Sequence, residues 1–159
     1  SMFDHFMIAG STSHYLTGVA AKDQYSYPIY GAALRRYKAI PIKREKLKDA
    51  IHSLDKAERV VSSGTSLLIA PEGTRTVSGE LGTFKKGPFH LAKNTKATII
   101  PVAIVGAWEA KKKTDWKLKP GIITIHYGKP IKSSDYNNYT IQDLSNRVKN
   151  ELQKLISEG

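Results

Sequence analysis

Residues 46–75 read KLKDAIHSLDKAERVVSSGTSLLIAPEGTR, and this stretch decides the class of the fold. Leu47, Ala50, Ile51, Leu54, Ala57, Val60 and Val61 recur at three and four residues, the stripe of a helix over Lys46–Ser63 with one buried face. Gly64 follows at the position where glycine most readily ends a helix. Ser66-Leu67-Leu68-Ile69-Ala70 comes next, nearly continuous in apolar residues and without alternation. Strands buried on both faces read that way, which predicts a sheet with helices on two sides. Pro71-Glu72-Gly73-Thr74-Arg75 then leaves the strand as a polar, glycine-containing loop.

The rest of the chain repeats this alternation. Leu16–Ala20, Ala39–Ile42, Thr98–Val105 and Ile122–Tyr127 are further runs of strand length. A helix is expected from about Thr140 to Ser157, striped by Ile141, Leu144, Val148, Leu152, Leu155 and Ile156. Thr140 with Asp143 three residues on has the form of a capping box. A shorter helix is expected over Pro88–Asn94, proline being tolerated in a first turn. Helices alternating with such strands define an α/β fold with a mixed, largely parallel sheet covered by helices on both faces. No repeat and no linker-like segment interrupts the chain, so residues 1–159 are expected to form one domain.

Composition narrows the chemistry. The 159 residues are 40% apolar and 25% charged, ordinary globular usage. There is no cysteine, which excludes disulfide scaffolds, thiol catalysis and cysteine-held zinc. The isolated histidines have no neighbours that make a metal set, so no metal is expected. Twenty-five Lys and Arg against fourteen Asp and Glu leave a net charge of +11, which asks for an anionic partner. No run approaches the ~20 apolar residues that span a bilayer, and no signal peptide is evident.

In α/β folds, function gathers in loops leaving the carboxyl ends of strands. Two places qualify: Lys43-Arg44, and the segment from Pro71 to Gly87. In the second, Gly73, Gly79 and Gly82 allow a ligand to approach the backbone, while Arg75, Lys85 and Lys86 can neutralise a phosphate. The helix start at Pro88 adds backbone dipoles that favour an anion. A solvated loop with turn-forming glycines is the alternative reading of the same residues. Neither G-x-x-x-x-G-K-[ST] nor G-x-G-x-x-G occurs, so a common nucleotide-phosphate loop is not indicated.

These blocks, in this order, resemble those of the lysophosphatidic acid (1-acylglycerol-3-phosphate) acyltransferases and related glycerolipid acyltransferases. Pro71-Glu72-Gly73-Thr74-Arg75 with Phe84-Lys85-Lys86-Gly87 resembles the family's substrate-binding block. Ala39-Ile40-Pro41-Ile42-Lys43-Arg44 resembles the block whose arginine contacts the acceptor phosphate, and Ile100-Pro101-Val102 the short proline block beyond the loop. Ala21-Lys22 with Pro28 and Gly31 matches a lysine-containing stretch. The resemblance implies a glycerol-phosphate acyltransferase-like fold. It also implies that Arg44, Lys22, Thr74 and Arg75 serve the acceptor's phosphate, with Arg44 and Arg75 sharing one anion. Glu72 and Gly73 would shape the acceptor site, Glu72 pairing with a cation, and Lys85 and Gly87 would close the loop on the ligand.

The family's catalytic block is a histidine, four residues, then aspartate. Ser1-Met2-Phe3-Asp4 resembles its second half, which makes Asp4 the orienting carboxylate and puts the histidine two positions before Ser1. The residues five beyond His5, His14, His52, His90 and His126 are Gly10, Val19, Ala57, Thr95 and Ile131, so none of these completes the block. On this reading the chain is a catalytic-domain fragment, inactive by itself. Its parent would be membrane-associated at the cytoplasmic face, carry N-terminal membrane helices, and take an acyl thioester donor and a lysophospholipid acceptor. Acyl-CoA or acyl carrier protein would be a substrate, with no bound cofactor. A second basic cluster, Lys111-Lys112-Lys113 with Lys117 and Lys119 around Trp116, reads either as a solvated face or as a patch for a membrane surface. The rival function is a non-catalytic domain binding anionic lipid or RNA. Against nucleic acid, the aromatic residues form no ribonucleoprotein motif.

Overall fold

The computed structural model describes residues 4–13, 15–42, 47–74, 76–111, 117 and 119–159. They fall into two compact units, His5–Ile69 and Ala70–Gly159.

The first unit is built on three parallel strands. β1 (Leu16–Ala21) lies between β2 (Ile40–Ile42) and β3 (Ser66–Leu68). Val19 pairs with Ile40 and Ala21 with Ile42 on one side, and Leu16 with Ser66 and Gly18 with Leu68 on the other. Parallel neighbours need crossovers, and helices supply them. α1 (Asp4–Gly10) precedes β1, and α2 (Pro28–Arg36) joins β1 to β2 after a 3₁₀ turn at Lys22–Ser26. α3 (Leu47–Ser62) joins β2 to β3 and packs on both. Gly64 takes φ +87° just beyond α3, as the sequence requires of a helix-ending glycine. Ala20, Leu34, Ile40 and Ala57 are buried here. Buried Thr17 is satisfied by the backbone, its hydroxyl lying 2.9 Å from the Tyr37 carbonyl oxygen and 3.1 Å from that of Lys38. That contact ties the centre of the sheet to the end of the α2 crossover.

The second unit holds α4 (Gly87–Thr95), β4 (Val102–Val105), α5 (Ala107–Ala110), β5 (Thr124–Tyr127), α6 (Ser133–Tyr136) and α7 (Ile141–Glu158). β4 and β5 are antiparallel, Val102 facing Tyr127 and Val105 facing Thr124. The apolar run from Thr98 thus begins as a ladder only at Val102; Ile99 makes an isolated bridge to Ile131. The core is Phe89, Ala103, Ile131, Tyr136, Leu144, Val148 and Leu152. Three of these come from the α7 stripe read in the sequence. The capping box is present: Thr140 Oγ1 accepts from the Asp143 amide at 3.1 Å, and Asp143 Oδ2 accepts from the Thr140 amide at 3.1 Å. Tyr136 fastens α4 to this core, donating its hydroxyl to the carbonyls of Ala92 and Ala97. Lys93 returns the link, its ammonium reaching the carbonyls of Asn137 and Tyr139. Three parallel strands, an antiparallel pair and intervening helices make this an α/β protein, as expected.

Removing the Tyr136 hydroxyl takes its hydrogen bonds away from the Ala92 and Ala97 carbonyl oxygens at the join of α4 to the core. Tyr136→Phe should therefore cost about 1–3 kcal/mol, and Leu144→Ala about 2–5 kcal/mol, both read from urea unfolding. Asp143 adds a pH dependence. Its hydrogen bonds from the Thr140 hydroxyl and amide favour the carboxylate and hold its pKa below the usual value. The native state then binds this proton less readily than the unfolded chain, so the contribution is full above the ordinary carboxylate pKa and is lost as pH falls through the lowered one. Proton titration followed by nuclear magnetic resonance should place Asp143 below the ordinary aspartate value, and Asp143→Asn should abolish that acid-side loss.

Candidate functional site

The polar loop follows β3 directly and runs to the first turn of α4. Its entry is a tight turn in which Gly73 donates to the Ala70 carbonyl at 3.0 Å, with Gly73 at φ +70°. This turn ends the apolar run at Leu68 as a strand and leaves Ile69 and Ala70 outside the ladder. The loop closes on itself at its base, where Lys85 N–H donates to the Pro71 carbonyl at 2.8 Å. The bond brings the two ends of the block together. The Lys85 side chain passes beside Gly73, its Cγ 3.7 Å from where a Cβ would stand. Lys85 is exposed, so its ammonium is open to a ligand while its stem lines the turn.

Glu72 braces the middle of the loop. Its Oε2 accepts from the Gly82 amide at 2.9 Å, and a side chain at Gly82 would meet that oxygen at 2.8 Å. Farther out, Thr76 Oγ1 accepts from Gly79 at 3.0 Å and Ser78 Oγ from Glu80 at 3.2 Å. Gly79, at φ +91°, approaches the Trp108 ring so closely that a Cβ would lie 3.1 Å from it. Phe84 stacks on Phe89 with ring centroids 6.2 Å apart, anchoring the exit to the core. Lys86 precedes α4, and Gly87 and Pro88 open it. The arrangement is a self-braced loop with exposed cations and a positive-φ glycine, leading into the electropositive end of a helix.

Sequence reasoning found both ends of this loop. It missed the Glu72–Gly82 bond, since no periodicity links two residues ten apart. Thr74 is exposed beside Gly73. Lys22 lies in the other unit, exposed at the start of the 3₁₀ turn that leaves β1. Ala21 is opposite Ile42, so Lys22 leaves the parallel sheet at the rim where β2 ends. Arg44 and Arg75 lie outside the described residues, as do Lys112, Lys113 and Trp116 of the second basic cluster. Asp4 opens α1, and the position of its carboxylate lies outside them too. Lys117 and Lys119 are exposed. Among the described residues no three His, Asp or Glu side chains gather as a metal site, and no helix is long and apolar enough to cross a membrane.

In chain order, a parallel α/β unit, a glycine-and-lysine loop and a helix start follow one another. Comparison with known proteins gives the family. The acyltransferase family model matches residues 1–105, which include Asp4, Lys22, Arg44 and the whole loop. A 1-acyl-sn-glycerol-3-phosphate acyltransferase of Cocos nucifera is 34% identical over 142 residues, 89% of this chain and 46% of that protein. A protein of the same description from Pseudomonas aeruginosa is 28% identical over 159 residues, 99% of this chain and 61% of that one. The crystal structure of the 1-acyl-sn-glycerophosphate acyltransferase PlsC from Thermotoga maritima superposes with a TM-score of 0.84 at 22% identity. That match covers 99% of this chain and 62% of the other, and it bears on the fold. The chain belongs to the acyltransferase family. It spans about half the length of the coconut relative and of a Limnanthes alba relative.

The Glu72 brace is directly measurable. Glu72→Ala should speed hydrogen exchange at the Gly82 amide roughly five- to tenfold, the loss of a partly exposed hydrogen bond of about 1 kcal/mol. Glu72→Gln keeps an accepting oxygen and should leave most of the protection.

Proposed function

We propose that residues 1–159 are the catalytic domain of an enzyme that transfers a fatty acyl group from an acyl thioester to lysophosphatidic acid or a similar glycerolipid, giving phosphatidic acid. The observation that carries this reading is the closed Pro71–Lys86 loop. It occupies the family's substrate-binding block, fixes a positive-φ glycine at its entry, and presents Lys85 to solvent. The acceptor's phosphate is dianionic, and the resemblance gives it Arg44, Lys22 and Arg75 as cations and the Thr74 hydroxyl as a further donor, while Lys85 and Gly87 would close the loop on the ligand. Glu72 and Gly73 set the backbone path beside it.

The reaction needs a deprotonated acceptor hydroxyl near an already activated carbonyl. A histidine five positions before Asp4 would take the hydroxyl proton, and Asp4 would hold its tautomer and stabilise the imidazolium. The alkoxide oxygen bonds to the thioester carbon, the C–S bond breaks, and the departing thiolate receives the proton from the imidazolium. The acyl group is carried by coenzyme A or acyl carrier protein as a substrate, and no metal or resident cofactor takes part. The net charge of +11 suits work at an anionic membrane surface, on its cytoplasmic face.

Thiol release from the acyl donor tests this. A protein of residues 1–159 alone should give negligible turnover, because no histidine stands five positions before Asp4. A longer chain that supplies one should turn over. In that chain, Arg75→Ala should lower kcat/KM for the phosphorylated acceptor tenfold or more and change the thioester KM little, as loss of a charge-assisted bond of about 1.5–3 kcal/mol implies. Arg44→Ala should do the same. Equal use of acceptors with and without the phosphate would refute the assignment.

A further inference from the structure

The first unit exposes an apolar tip that its own fold does not use. Ile29, second residue of α2, is 88% exposed, and Tyr27 just before the helix is 54% exposed. Along α2 the outward positions are Ile29, Ala32 and Arg36, a stripe at three and four residues, flanked by exposed Pro28 and Arg35. The inward positions are Gly31 and Leu34, both buried. Large aliphatic groups this exposed, at the start of a short amphipathic helix, need a reason.

The tip is held rigidly. A Cβ at Gly31 would stand 2.3 Å from the Tyr25 carbonyl oxygen, so α2 lies directly against the Lys22–Ser26 turn. Arg35 Nη1 donates to that same carbonyl at 3.1 Å, and the Tyr25 hydroxyl to Ala39 at 2.5 Å. A loop free to rearrange could fold Ile29 inward; this one is fixed outward. Between Lys22 and Lys38 there are four cations, Lys22, Arg35, Arg36 and Lys38, against one carboxylate, Asp23. Tyr27, Tyr30 and Tyr37 accompany them. An aliphatic point, tyrosines and a surround of arginine and lysine match the layers of an anionic bilayer surface: acyl boundary, head-group level and phosphates.

We propose that the exposed face of α2, with Ile29 at its tip and Arg36 behind it, docks the domain on anionic lipid. The choice of lipid as occupant rests on the lysophospholipid reading above and on charge complementarity. The same turn carries Lys22, so docking here would bring a phosphate-binding cation of the proposed site to the lipid surface.

Co-sedimentation of residues 1–159 with phosphatidylcholine vesicles, with and without phosphatidylglycerol, tests it. Ile29→Asp should lower partitioning into the anionic vesicles by about tenfold, and Arg36→Glu by a similar factor that vanishes at high salt. Both positions are exposed, and circular dichroism should confirm that the variants fold. Ile29→Trp should bind at least as tightly and add a blue-shifted emission on binding. Undiminished binding by Ile29→Asp, or an indole at position 29 that stays in water, overturns the proposal. So does a change of mass with Ile29→Asp in the absence of lipid, which would make the face an interface between copies. The function is scored separately in the longer, histidine-bearing chain: Ile29→Asp should slow transfer to acceptor held in vesicles and spare transfer to a short-chain, water-soluble acceptor. No turnover with either acceptor in the parent chain would refute the acyltransferase reading and leave the vesicle result standing.

Discussion

One backbone bond, from the Lys85 amide to the Pro71 carbonyl, organises the loop between β3 and α4. It joins the two ends of a polar loop that would otherwise carry a large closure entropy and sample many shapes. With the ends joined, α4 starts at a fixed place, and Phe89 enters the core while Phe84 stacks on it from the loop side. The Glu72 carboxylate then needs to reach only one amide to brace the remaining span. Binding groups borne on such a loop lose little further entropy when a ligand arrives, which is the advantage of preorganisation.

The helices that the sequence announces are those with both a stripe and an end signal. α3 and α7 have complete stripes, and each has its punctuation, Gly64 in one and Thr140 with Asp143 in the other. α2 has neither. Its buried positions are Gly31 and Leu34, and Gly31 is there because a neighbouring carbonyl leaves no room for a Cβ. That reason is tertiary and leaves no periodic trace. Strand ends slipped for a related cause: apolarity marks what is covered, whereas a ladder requires a partner in register. Ile99–Val105 is nearly continuous in apolar residues, yet its first part has a lone bridge to Ile131 and a single bond from the Gly128 amide to the Pro101 carbonyl, short of a ladder.

The candidate site was legible as a set of blocks, through glycines, lysines and arginines standing after strands. What the blocks could not convey is which members look outward and which serve the loop itself. Glu72 shows the difference. One of its carboxylate oxygens serves the Gly82 backbone amide, holding the loop's own shape. Lys93 shows it again: a cation in the last turn of α4 directs its donors to the carbonyls of Asn137 and Tyr139.

The contact between Gly79 and the Trp108 ring reaches beyond packing. Indole emission responds to the polarity and the dipoles at its face, and here that face is covered by the outer arm of the loop. The Trp108 ring is seated against this loop. The molecule thus carries its own optical gauge of loop position, needing no label and no engineered residue. Ligands that draw the arm away from the ring, or press it closer, would register as a change in colour and intensity before any product forms.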